Sequence, residues 1–371
     1  MKTNVEMIPE KVNQLYIGLD VHKNQWAVCV RTKEFEHKTF TQPPIPKLLH
    51  DYIQKNFSNY DVVCGYEAGF SGYWISEQLH SYGFKCLVLN PADIPGSDKE
   101  SKRKTDRNDC RKIARELSKG EVKSIFQPDR LQQGFRNLFR QRNKLVKQLR
   151  MVKNNIRSLL FFNGTPIEKE YDNGNWNRSF RNWLKTIPMD TSTNRLSLDS
   201  MLRRLDFLQQ EYLILVKQLV NYVQTNHQEN YKLLNTVPGI GKVVSIALLC
   251  EIGDINRFKR VDDFCSYLGL VPNIYQSADT IKVQGLTQRC QSILRSYIIE
   301  CAWIAVRKDP ELILYYKRHV GKKASGKIIV KVARKLLVRI YYTLKFQRPY
   351  IINYSQINQN KVTAKGSLQR L

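Results

Sequence analysis

The run Lys104-Thr105-Asp106-Arg107-Asn108-Asp109 sets two aspartates three residues apart among lysines and arginines. On a helix, positions i and i+3 share a face, so Asp106 and Asp109 can point at one spot. Thr105 is suited to cap that helix, and Ile113, Ala114 and Leu117 give it an apolar side to bury. Two carboxylates held together repel unless a cation neutralises them, and ligand sets made only of oxygen select hard cations such as Mg²⁺. Basic neighbours, Lys104 and Arg107 among them, suit a phosphate backbone. Most such pairs are solvated surface charges. The weight of this one depends on whether the preceding chain supplies partner carboxylates.

It does so at strand ends. Residues 15–20 read as a buried strand closing on Asp20, residues 26–30 as its neighbour and 38–41 as a third strand. Pro43, Pro44 and Pro46 lead into a helix of about a dozen residues marked by Leu48, Leu49, Tyr52 and Ile53. Residues 61–67 form another strand, closing on Glu67. A helix through Trp74, Ile75 and Leu79, a strand over 86–90 and a loop with Pro91, Pro95 and Gly96 then lead to the helix of Asp106 and Asp109. The order is β-β-β-α-β-α-β-α. Ligands of open sheets gather at strand ends, so Asp20, Glu67, Asp106 and Asp109 can converge. Singly, Asp20 is a turn residue and Glu67 a surface acid. Together and in this order they predict an RNase-H-like core of the Holliday-junction-resolvase (RuvC) type, where metal ions act on the oxygens of a phosphoryl transfer.

Composition points to a polyanionic partner. The 371 residues carry 60 Lys+Arg against 33 Asp+Glu, a net charge of +27 and a sequence pI near 9.7. An excess that large most often means DNA or RNA. No apolar run approaches a membrane span and the first residues lack a signal pattern, so a cytoplasmic protein is expected. The eight cysteines stand singly, with Cys29, Cys64 and Cys86 in strand-like runs, and read as reduced core thiols. The six histidines show no metal-ligand spacing, which argues against transition-metal chemistry.

Downstream the chain turns helical. Leu138, Leu145, Leu149, Val152, Ile156 and Leu159 form one stripe at helical spacing, and Met201, Leu205, Leu208, Tyr212, Leu215, Leu219 and Tyr222 another. Residues 161–190 between them, rich in Asn, Gly and aromatics, read as a loop or insertion. The two helices can fold on each other or pair across a dimer, and a dimerising coiled coil is the expectation. Val237-Pro238-Gly239-Ile240-Gly241, followed by Lys242, reads as a helix-hairpin-helix turn whose glycines let backbone N–H groups approach a phosphate; a plain tight turn between core helices is the alternative. Residues 269–277 read as a polar loop between helices, ending at Ser277, with Lys282 and Arg289 near enough in sequence to position a phosphate. From 307 to 348 thirteen Lys/Arg face Asp309 and Glu311, a local excess of +11. The stripe Ile328, Val332, Leu336, Ile340 and Leu344 there fits a basic amphipathic helix, for which a membrane surface is the lesser alternative. The first 13 residues and the tail beyond Pro349 read as frayed or disordered.

These landmarks resemble the DEDD transposases of bacterial insertion sequences, the family that includes the Piv-type DNA invertases. The resemblance spans about residues 15–345. It is carried by "YIGLD" with Asp20, "GYEAG" with Glu67, "KTDRND" with Asp106 and Asp109, "VPGIG", "EIGD", "LGLVP" and "YQS" with Ser277. It implies an RNase-H-like domain (14–125), a helical coiled-coil dimerisation region (126–228), a mostly helical serine transposase domain (229–348) and a disordered tail (349–371). It further implies that the four acids hold Mg²⁺ and that Ser277 is the nucleophile, forming a phosphoserine link to DNA. It also implies guidance by a bridge RNA pairing with donor and target DNA, and dimers or tetramers in which one subunit's acids meet another's serine. Lys104, Arg107, Gly239, Gly241, Lys242, Lys282, Arg289 and Arg295 are the expected nucleic-acid contacts.

A serine hydroxyl is a poor nucleophile until a base or metal activates it, and a covalent link conserves the phosphodiester energy for rejoining. Delegating sequence choice to RNA accounts for a basic chain with no recognisable base-reading module. The chain departs from the family at Ala278, where Gly is usual, and at Cys290-Gln291, where Gly-Asn is usual; Leu294-Arg295 is kept. Rivals are a Piv-like invertase without guide RNA, a hydrolytic junction nuclease, and a nucleic-acid-binding protein without catalysis.

Overall fold

The computed structural model describes residues 13–95, 105–172, 174–277 and 280–352, and of 274–284 the backbone only. Lys104, Ala278, most of the N-terminal stretch expected to fray and the tail from 353 lie outside the described residues. The chain divides after Gln127 into two compact units.

The first unit is a five-stranded mixed sheet with helices on both faces. Strands β1 (Gln14–Val21), β2 (Trp26–Arg31) and β3 (Glu36–Gln42) form an antiparallel meander. Helix α1 (Pro46–Phe57), with Pro in its first turn, crosses to β4 (Asp61–Glu67), and α2 (Trp74–Ser81) crosses to β5 (Lys85–Leu89). Both β4 and β5 run parallel to their neighbours, and the sheet order is β3-β2-β1-β4-β5. Helix α3 (Asp106–Lys119) follows.

Strand alternation sorts the two faces. Leu15, Ile17 and Leu19 join Leu49, Ile53, Ile75 and Leu79 in one core, while Tyr16 packs with Ile113 and Leu117 of α3 on the other side. Gly18 belongs to the α3 face. A Cβ there would run into the Cys110 carbonyl oxygen, so the missing side chain is what lets α3 lie directly on β1. Gly65 plays the same part on β4, with Leu117 methyls 3.2 Å from where a Cβ would stand.

The second unit is almost all helix. Helix α4 (Arg130–Phe162) is capped by Asp129, whose Oδ1 accepts from the Gln132 N–H at 2.7 Å. Helix α5 (Arg178–Thr186), capped by Asn177, lies inside the stretch expected to be loop. Its Phe180 and Leu184 are fully buried, and that anchoring orders it. Helix α6 (Ser192–Asn226) returns along α4. Leu145, Leu149, Val152, Ile156 and Leu160 of α4 bury against Leu198, Leu202, Leu205 and Leu208 of α6 within the one chain. The two stripes thus pack on each other inside this one chain, the alternative to a seam between two chains.

The start of α4 and the end of α6 enter the core of the following helices: α7 (Gln228–Thr236), α8 (Lys242–Ile252), α9 (Val261–Tyr267), α10 (Ser292–Lys308), α11 (Pro310–His319) and α12 (Ser325–Phe346). Strands β6 (Pro272–Ser277) and β7 (Thr280–Leu286) form a hairpin where a loop between helices was expected. The alternation Ile274, Gln276 against Ile281, Val283 is a two-period pattern too short to stand out in sequence. On α12 the stripe Ile328, Val332, Leu336, Ile340 and Leu344 is buried in protein, which overturns the membrane-surface alternative for that face.

Candidate metal centre and serine hairpin

Asp20 and Glu67 occupy corresponding positions on the parallel neighbours β1 and β4, one step past the pair Leu19 and Tyr66. Each lies two residues beyond its glycine, so each shares the face on which α3 packs. The first turn of α3 starts at this end of the sheet. Thr105 caps it, its Oγ1 accepting from the Asn108 N–H at 3.4 Å, and Asp106 and Asp109 sit in that turn, where the helix dipole favours negative charge. The glycines set the helix close and the acids that follow them meet its start.

The electrostatics report the convergence. Burial pushes the Asp20 carboxyl above the usual carboxylate range; His22 opposes this, and the negative charges of Asp106, Asp109 and Glu67 all push it further up. Among the described residues no lysine or arginine pairs with any of the four acids. His22 is what stands between two of them, its Nε2 3.3 Å from Asp20 Oδ2 and 3.4 Å from Asp106 Oδ1. Asp20, His22 and Asp106 present ligand atoms within 4.8 Å of one another. His22 escaped the sequence reading because its second partner is 84 residues away and no histidine spacing announces it.

The serine is placed by the hairpin. Ser277 ends β6 and pairs with Thr280 at the start of β7, and Lys282 lies opposite Tyr275. Arg295 Nη1 donates to the Thr287 carbonyl at 2.7 Å just past β7, so this cation is used to fix the hairpin's exit. The backbone N–H of Arg289 donates to Thr287 Oγ1 at 3.3 Å. Cys290 lies against Gly269, whose positive φ of 71° and crowded Cβ position leave no room for a side chain. Gln291 Nε2 donates to Glu251 Oε2 at 3.1 Å, so the Cys290-Gln291 departure is accommodated by packing and a half-buried hydrogen bond.

The two glycines of the 237–241 turn part ways. Gly239 has φ +88° and a Cβ there would strike the Cys301 carbonyl, so it serves the approach of α10. Gly241 and Lys242 are exposed at the start of α8, with open space around the Gly241 Cβ position. Arg107 is exposed on the first turn of α3.

Two family models match the chain. Residues 17–162 match a transposase model of the DEDD, IS110 type, and residues 231–317 match the transposase family IS116/IS110/IS902. The putative transposase y4qE of Sinorhizobium fredii is 27% identical over 78% of this chain and 71% of its own length. The transposase for insertion sequence element IS1111A of Coxiella burnetii is 24% identical over 72% and 73%. The pilin gene-inverting protein of Moraxella bovis is 27% identical over 91% and 98%.

Both matches are to transposases of insertion sequences of the DEDD, IS110 type. For a transposase of this family DNA is the substrate and cutting and rejoining it the activity. Carboxylates with no lysine or arginine partner among the described residues suit the divalent metal that such transposases typically use. His22 adds a nitrogen donor beside the oxygens, which Mg²⁺ does not seek and first-row transition ions accept. Among the described residues no helix is long and apolar enough to cross a membrane.

Proposed function

We propose that this transposase recombines DNA through a phosphoserine intermediate, with Ser277 as nucleophile and Asp20, Glu67, Asp106 and Asp109 as the holders of Mg²⁺. What supports this is the cluster of Asp20 and Asp106 with His22, ligand atoms within 4.8 Å of one another, with the charges of Glu67 and Asp109 acting on Asp20 and, among the described residues, no lysine or arginine paired with any of the four acids. The sheet order, with three antiparallel strands followed by two parallel ones, supports an RNase-H-like core for residues 14–125. Bound Mg²⁺ would supply Lewis acidity toward a phosphate oxygen and lower the pKa of a coordinated hydroxyl. The Ser277 oxygen would bond to phosphorus as the bond to one sugar oxygen breaks, the serine proton leaving to a base and the sugar oxygen taking one up. Reversal by a second sugar hydroxyl would free the serine and rejoin the strand.

Residues 126–228 would join subunits and 229–348 would carry the serine, so that one subunit's acids act with another's Ser277. Phe207 and Ile214 on α6 are 61% and 49% exposed, apolar surface such a contact could cover. A bridge RNA would choose donor and target sites, in keeping with the net charge of +27. The pilin gene-inverting relative, matched over nearly its whole length, favours a second reading as an invertase without guide RNA.

Strand transfer on end-labelled DNA tests the proposal. Ser277→Ala is expected to abolish both strand transfer and the covalent protein–DNA species. A variant that still cuts would identify a hydrolytic nuclease. Structured RNA co-purifying with the wild-type protein separates the guided transposase from the invertase.

A further inference from the structure

The long helices carry a site that the acid cluster and Ser277 leave unused. An open cavity of about 490 Å³ lies between α4, α6 and the segment leading into α5, lined by Arg142, Lys153, Arg157, Trp176, Gln209 and Tyr212 among others, and by no carboxylate. That volume falls in the range that takes a small organic ligand. Arg142 is nine-tenths buried. It donates to the Tyr212 and Tyr297 hydroxyls and to Asn143 Oδ1, all neutral groups, and its Nε is buried without a partner. Arg157 keeps Nε and Nη2 buried and unpartnered. Among the described residues no carboxylate lies within ion-pair distance of Arg142, Lys153 or Arg157. Burial, with Arg181 nearby, pulls the Lys153 amine below the usual lysine range, as expected of a cation held among cations.

A buried cation without an anion costs free energy; Arg142 is one, and half-buried Lys153 and Arg157 with exposed Arg150 add to the deficit of negative charge around the same cavity. Aromatic rings accompany them. Lys153 Nζ and the Arg157 guanidinium lie 5.4 and 5.9 Å from the centre of the Trp176 ring, and that of Arg142 lies 5.2 Å from Tyr212. Trp176 stands at the cavity wall because Phe180 and Leu184 of α5 anchor the insertion that carries it. Cations for a phosphate, a flat ring for a base and the amides of Asn154 and Gln209 for base edges are what a single nucleotide demands.

We propose that this cavity receives one unpaired nucleotide of a nucleic-acid strand, its phosphate among Arg142, Lys153 and Arg157 and its base against Trp176. A duplex cannot enter, because its bases are stacked and its width exceeds the cavity. The site would therefore recognise a bulge, a loop or a displaced strand, and it would do so without reading long sequence.

The full-length protein is irradiated with short single strands carrying 5-iodouracil, one of RNA and one of DNA, and with the matching duplex. Cross-links are expected to map to Trp176 or Tyr212 with one or both single strands and to be absent with the duplex. In titration of the same strands, Trp176→Ala should weaken single-strand binding about tenfold, the loss of one stacked base. Lys153→Glu should weaken it at least as much, and Trp176→Phe, which keeps a ring against Phe180, should restore most of it. Asp20→Asn should leave the cross-link in place, so that failure of the metal proposal and failure of this one are separable. Cross-links mapping only outside residues 142–212 would overturn the proposal, and so would folded Trp176→Ala and Lys153→Glu proteins binding within about twofold of wild type, well short of the tenfold effect of a lost stack.

Discussion

Two groups of acids in this chain live by opposite rules. In the second unit Glu251 is 3% exposed and takes two hydrogen bonds from Arg140, both at 3.0 Å, one from Gln291, and the charge of Arg136 at 3.7 Å. Asp309, 1% exposed, caps α11 and is met by Arg339 at 3.1 Å and the Tyr350 hydroxyl at 2.7 Å. Burial and that hydrogen bond push the Tyr350 hydroxyl up to about 12. At the end of the β-sheet, Asp20, Glu67, Asp106 and Asp109 interact with His22 between two of them, and among the described residues neither lysine nor arginine pairs with any of the four. With 60 basic residues available, arginine is not scarce. Acids that hold the fold are neutralised by the chain itself, whereas those at the sheet's end have no lysine or arginine partner among the described residues.

The sharpest way to break the contrast on the structural side is Glu251→Ala, which removes the carboxylate that Arg140 and Gln291 hydrogen-bond and that faces Arg136. It should cost about 3–5 kcal/mol, read as a fall in denaturation midpoint, because a buried ion pair loses its acid. If the loss is no larger than that of a surface pair, about 1 kcal/mol or less, the two groups do not differ as described.

The glycines sharpen it next. Gly18→Ala should destabilise the protein by about 1–3 kcal/mol, since the methyl meets the Cys110 carbonyl and α3 must shift with the Asp106 and Asp109 it carries. Gly241→Ala, at φ −105° with open space around it, should change stability by less than about 1 kcal/mol in thermal unfolding and serves as the control. The smallest effect belongs to Glu67→Gln. In chelator, it should stabilise the protein by some tenths of a kcal/mol, roughly what like charges on neighbouring strands cost.

Much of the first unit was legible in sequence because its signals are local. Apolar strands ending in Asp20 and Glu67, prolines before α1, and Thr105 three residues ahead of Asn108 each declare themselves within a few positions. The same glycines that the motifs "YIGLD" and "GYEAG" contain turned out to set the helix spacing, a role that needs the third dimension to see. What was missed depends on distant partners. His22 gains its meaning from Asp106, α5 is ordered by a core built from α4 and α6, and the long helices satisfy each other's stripes within the chain. Periodicity marks which face of a helix is buried but not which helix buries it. The β6–β7 hairpin was hidden for another reason: its strands are short, and its polar residues masked the alternation.

Calorimetric titration of the wild-type protein and of Asp20→Asn with Mg²⁺, repeated with Mn²⁺, tests the central claim most directly. A cation site built on these acids predicts a saturable binding event in the wild type that is lost in Asp20→Asn, with both proteins folded to the same extent. Indistinguishable isotherms for the two proteins would contradict the account.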